Sequence, residues 1–258
     1  TCTASPHFIL ENHDRVPQSS DTKYNREGTT AHEVAAAFLQ DRAPDPKECP
    51  TPIDSAMLTH GWNYMDYVLG LLEPGGRMIV EQKLPLWYMP ERNAKVDVVI
   101  INPNSLHVVD YKYGEGVPVS PVENKQVVIY AKVAATGTEF MDNFPVFSHI
   151  YQPRGRAGES GPAHVWETTW GEVNDIAKGI HLMAEAIQVK EPLVIEFAPS
   201  EKACQWCPAK GFCTARQASL AEGFEVIDEL QPLPSPGTAV ISEEQLVRIL
   251  KHKAQMVK

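Results

Sequence analysis

The 258-residue chain is 43% hydrophobic and 22% charged, which suits one large globular domain or a domain with an appendage, and no window reaches the roughly 18 apolar residues that a membrane span needs. Lys and Arg number 23 against 33 Asp and Glu, a net charge of −10. The overall field therefore repels polyanions, and a nucleic acid must be met by a local basic patch or through metal ions.

In chain order, Ser5-Pro6 supplies an N-cap and a proline at the first helical position, so a short helix is expected there. Residues 12–25 are polar and read as loop. Residues 27–39 carry apolar side chains at helical spacing, and the proline-rich stretch 43–52 ends that helix. A second long helix is expected over 55–72, closed by Pro74-Gly75-Gly76. β-Branched runs then predict strands over 77–87, 95–101 and 105–113, with turns at 90–93 and 102–104, an antiparallel meander. Ser120-Pro121 opens a helix carrying Gln126 and Tyr130. Residues 146–151 and 163–169 read as strands and 172–188 as an amphipathic helix. A Pro-rich linker at 231–236 and a terminal helix over 242–256 follow. The order of elements implies a mixed α/β core.

Asp97 and Asp110-Tyr111-Lys112 fall on neighbouring strands, and Asp110 and Lys112, two apart, share a face. A solvated strand face is the bland account of such charges. The set also suits phosphodiester hydrolysis, in which carboxylates hold Mg²⁺ or Mn²⁺ at the phosphate and a cation orients water or steadies negative charge. His32 adds an imidazole suited to manganese. Glu81 is a weaker candidate for a second metal or for positioning water. Lys83, Arg92, Lys95, Lys125, Lys132, Arg154 and Arg156 are candidate phosphate contacts or ordinary surface charge.

Five cysteines, three of them bunched near the C-terminus, do not make a secreted disulfide frame, and without a recognisable signal peptide the chain reads as cytoplasmic. Cys204, Cys207 and Cys213 form a C-x2-C-x5-C cluster interspersed with Gln, Pro, Lys and Gly, a pattern of thiolate metal ligation. A fourth ligand must be remote, either Cys2 or Cys49. Zinc and a 4Fe–4S cluster both accept four thiolates.

The ordered set Gly28-x3-His32, Asp97, Asp110-x-Lys112 and Gln126-x3-Tyr130 resembles the RecB-like branch of the PD-(D/E)XK nucleases, especially its phage- and prophage-encoded members. One departure is Ala94, where that family usually has glycine. The resemblance covers roughly residues 2–216 and implies a restriction-endonuclease-like core, a central mixed sheet flanked by helices. It implies that His32, Asp97 and Asp110 bind metal, that Lys112 is catalytic, and that Gln126 and Tyr130 contact DNA or support the site. Iron–sulfur members of the branch, the AddB-type and CRISPR-associated exonucleases, carry one N-terminal cysteine and three after the core. By that resemblance Cys2, Cys204, Cys207 and Cys213 hold a 4Fe–4S cluster and Cys49 is free.

The implied protein is a Mg²⁺- or Mn²⁺-dependent DNA exonuclease of phage or bacterial recombination, with an annealing protein or helicase as a partner and no membrane. Its nuclease domain would span 1–230, and 231–258 would be linker and helix. The rival readings are a non-catalytic zinc or iron–sulfur DNA-binding adaptor on a nuclease-like fold and a structure-specific endonuclease.

Overall fold

A computed structural model describes residues 2–17, 22–115, 118–155, 161–188, 196–205 and 207–220. The elements are α1 Ser5–Glu11, α2 Lys23–Leu39, α3 Ser55–Leu69, β1 Arg77–Leu86, β2 Met89–Ile101, β3 Leu106–Tyr111, α4 Lys125–Ala134, β4 Pro145–Tyr151, β5 Ala163–Thr169, α5 Trp170–Gln188 and α6 Glu201–Cys204. The chain divides into two compact units, one of residues 21–184 and one of residues 1–20 with 185–258. The linker and terminal helix expected after 230, like Arg156, lie outside the described residues.

The larger unit is α/β. Its five-stranded sheet has the order β1-β2-β3-β4-β5, antiparallel throughout except for the parallel β3–β4 pair. A parallel pair needs a crossover, and α4 makes it. One sheet face packs Val99, Leu106, Val108, Val146 and Ile150 against Val127, Val128 and Ala131 of α4. The other packs Val98, Ile100, Val109 and Tyr111 against Val34 of α2 and Met57, Tyr64 and Val68 of α3. Cover on both faces explains why β2 and β3 read as nearly continuous apolar runs. Gly61 lets α2 and α3 approach closely, since a Cβ there would stand 3.0 Å from Val34 Cγ1. Among the described residues no helix is long and apolar enough to cross a membrane.

Several boundaries differ from the sequence expectation. Thr22 Oγ1 accepts from Asn25 N at 3.1 Å, so α2 starts within the stretch expected to be loop. Asn124, not Ser120, caps α4, whose first residue is Lys125. The β1–β2 turn is Trp87-Tyr88, because Leu86 pairs with Met89. Pro90–Asn93, expected to turn, lies within β2 where the register shifts between Pro85 and Leu86. A proline is tolerated there because an irregular ladder position needs no N–H.

On the α2/α3 side a polar chain threads the core. Ser105 Oγ lies 3.0 Å from His107 Nε2, His107 Nδ1 lies 3.1 Å from His149 Nε2, and His149 Nδ1 lies 2.7 Å from the Tyr67 hydroxyl. Burial, with His107 adding to it, pushes the His149 pKa down to about 3. The unfolded chain therefore takes up a proton below about pH 6.5 that the folded chain refuses. Stability from this residue is complete above pH 6.5 and is lost as pH falls towards 3. Between pH 6.5 and 4.5 the loss is about 2–3 kcal/mol. Urea unfolding across this window should show a steeper pH dependence for the wild type than for His149→Gln. Equal slopes would mean that His149 does not carry the effect.

In the smaller unit, α1 begins one residue earlier than expected in its cap, at Ala4, with Ser5 and Pro6 inside the first turn. Ala4 N donates to Glu196 O at 3.1 Å and Glu196 N to Thr3 Oγ1 at 2.8 Å. The Phe8 ring sits 5.5 Å from Phe197 and 5.7 Å from Phe212, and Arg15 stacks over Phe212 at 4.5 Å. Ser200 caps α6 through Ala203 N, and residues 214–220 are helical.

Candidate active site

The β2–β3 ladder runs from Ile101↔Leu106 to Val98↔Val109 and stops. The next residues are Asp97 and Asp110. Asp97 Oδ2 accepts the Tyr111 N–H at 2.9 Å, taking the part of a ladder carbonyl. The β1–β2 ladder likewise passes from Val80↔Val98 to Gln82↔Val96 without pairing Glu81 and Asp97. Glu81 has φ +50°, a left-handed backbone that glutamate rarely adopts and that surrounding contacts must hold. The pleat changes phase at this point. Val80 and Val98 face α2 and α3, whereas Leu84 and Val96 pack with α4. The phase change aims both acids at one place.

His32 of α2 completes that place. Its Nδ1 lies 3.1 Å from Glu81 Oε1 and 3.7 Å from Asp97 Oδ2. Ligand atoms of His32, Glu81 and Asp97 all fall within 4.8 Å of one another, a donor set of one imidazole and two carboxylates. Burial pushes the Asp97 carboxyl well above its ordinary range; His32 opposes the rise and Asp110 adds to it. Burial alone would lower the His32 pKa, but Glu81 and Asp97 outweigh it and raise it. Burial would raise the Glu81 carboxyl, and His32 and Lys95 outweigh it and lower it. Two carboxylates and an imidazole thus share one partly buried place, a donor set that a divalent cation can take up in exchange for the His32 proton and Lys95.

Asp110 is fully buried and turned to Lys112. Nζ lies 2.8 Å from Oδ2 and donates to Oδ1 at 3.0 Å, so Oδ2 is charge-paired but receives no aligned hydrogen bond. Lys112 Nζ also donates to Gln126 Oε1 at 2.9 Å, and Gln126 Nε2 donates to the Tyr130 hydroxyl at 2.7 Å. Gln126 and Tyr130, four apart on α4, form one face of the helix. Strand alternation accounts for Asp110 beside Lys112 and helical spacing for Gln126 beside Tyr130, while the Lys112–Gln126 link that joins the two pairs comes from the packing of α4 on the sheet. The trio whose ligand atoms come together is His32, Glu81 and Asp97 rather than the expected His32, Asp97 and Asp110; Asp110 acts on His32 and Asp97 electrostatically and pairs with Lys112.

The basic candidates separate. Lys95 pairs with Glu81 at 2.5 Å. Arg154 is held by Glu27 at 3.3 Å, by Glu115 at 2.5 Å and over the Tyr113 ring, and Lys132 donates to Asn174. In the smaller unit Cys2, Cys204, Cys207 and Cys213 line one small pocket with Ser5, Phe8 and Phe197. Ser5 Oγ lies 3.6 Å from Cys207 Sγ. None of the four is in a disulfide, and Cys49 belongs to the other unit.

A solved structure described as "Crystal structure of SSO0001" aligns over 82% of this chain and 96% of its own at 12% identity, with a TM-score of 0.32. The family whose description matches is "Protein of unknown function (DUF2800)", over residues 1–258, and the chain belongs to that family.

Proposed function

We propose that this chain is a divalent-metal-dependent nuclease with a PD-(D/E)XK, RecB-like core that degrades DNA from its ends. The observation that carries the reading is the convergence, at one break in the sheet, of the His32–Glu81–Asp97 donors and the buried Asp110–Lys112 pair. The donors fit Mg²⁺ or Mn²⁺, since two carboxylates and an imidazole each bring a ligand atom within 4.8 Å of the others. When bound, such an ion supplies Lewis-acid activation of the phosphate and an acidified water. The chain's own part follows from the hydrogen bonds. Gln126 fixes the Lys112 ammonium beside Asp110, and Tyr130 fixes Gln126, so Nζ has one N–H left to orient the attacking water or steady the phosphoryl oxygens.

The second part of the proposal is a 4Fe–4S cluster on Cys2, Cys204, Cys207 and Cys213. Four thiolates on one pocket suit zinc and the cluster alike, and the resemblance to the iron–sulfur members of the RecB-like branch favours the cluster.

The test is anaerobic purification followed by assay on linear and covalently closed circular DNA with Mn²⁺. Linear DNA should be degraded and circles spared. Rapid nicking of circles would make the enzyme an endonuclease. Binding of DNA without cleavage of either form would favour the adaptor.

A further inference from the structure

Lys83 and Lys95 are direct cross-strand partners in the β1–β2 hairpin, both exposed, each two residues along its strand from Glu81 or Asp97. Like charges directly opposite one another destabilise a ladder. The protein relieves only one of the two. Lys95 reaches diagonally to Glu81 Oε2, and the nearby Glu33, which also acts on Lys95 electrostatically, is occupied by Arg42 at 2.6 Å. Lys83 has no ion pair among the described residues.

We propose that Lys83 and Lys95 form a phosphate seat, holding the backbone of a nucleic-acid strand beside the point where His32, Glu81 and Asp97 meet. The proposal rests on the nuclease reading and adds to it where the substrate strand lies. The Lys95 ammonium, 2.5 Å from Glu81 Oε2, sets the seat directly beside the donor cluster. A phosphate between two opposed ammonium groups converts their repulsion into a pair of charge-assisted hydrogen bonds. Glu81 is shared between this seat and the donor cluster. A divalent ion that takes up the Glu81 carboxylate frees Lys95 for phosphate, so ion and strand bind with positive linkage.

The test is fluorescence anisotropy of a fluorescein-labelled single-stranded DNA oligonucleotide with the full chain, in Ca²⁺ and in EDTA, over a salt series. The variant Lys83→Gln/Lys95→Gln should bind about tenfold more weakly, with a log–log salt slope smaller by about 0.7 for each phosphate that is no longer neutralised. Lys83→Arg/Lys95→Arg should restore binding. Arg77→Gln/Lys178→Gln, which removes two exposed charges elsewhere, should leave it unchanged. The wild type should bind several-fold more tightly in Ca²⁺ than in EDTA, and Lys95→Gln should lose that gain. An unchanged affinity and slope in the double glutamine variant, with wild-type binding intact, would overturn the seat and leave the nuclease reading standing. No DNA binding by the wild type in either buffer would overturn both.

Discussion

Asp110→Asn and Lys112→Ala are each expected to reduce metal-dependent DNA cleavage by about 10³-fold or more, the scale on which groups that steady transition-state charge act. The two variants fail for different reasons. Asparagine keeps the shape of Asp110 but loses the charge that fixes the Lys112 ammonium, while alanine at 112 removes the cation itself. Asp110 is fully buried, so asparagine rather than alanine is the informative change there; it fills the same space and can still accept from Nζ. Lys112→Ala leaves the fully buried Asp110 carboxylate without its cation and should also lower the melting temperature, whereas Asp110→Asn removes the charge and should lower it less. Cleavage lost in Asp110→Asn with the protein still folded at the assay temperature would bear this out. Undiminished cleavage by Asp110→Asn would sink the mechanism.

The second large effect is expected at Cys2. Cys2→Ala should abolish the broad absorption near about 400 nm that thiolate-bound iron gives, and should lower the melting temperature. A link from residue 2 to residue 204 closes a loop of about 200 residues, whose removal from the unfolded chain is worth up to about 5 kcal/mol in the crosslink treatment. Cys49→Ala should do neither, because Cys49 lies in the 21–184 unit and does not line the cavity. The measurement is an anaerobic spectrum and a melt of each variant. The reverse pattern would reassign the ligand. A colourless protein with stoichiometric zinc would replace the iron–sulfur cluster and leave the nuclease site untouched.

Much of the architecture was legible without the fold, because it depends on short-range periodicity. Alternation along β3 put Asp110 and Lys112 on one face, and the four-residue spacing on α4 put Gln126 beneath Tyr130. β-Branched runs announced the strands β2 and β3, but a solvated face remained the bland account of Asp110 and Lys112, and the cover on both faces emerged only with the fold. Caps were less legible, since Thr22 and Asn124 compete with other residues of similar capping power, and only the path of the chain selects one.

What the tertiary structure alone decided is which charges meet. Glu81 was legible only as a weaker candidate for a second metal or for positioning water, and nothing in the side chain favours the left-handed backbone that turns it towards His32. That conformation is imposed where β1 and β2 change pleat phase, a property of two strands packed against different helices. Asp97 and His32 are 65 positions apart and Cys2 is about 200 from Cys204, so their proximity is a consequence of chain closure and packing, which no local propensity encodes.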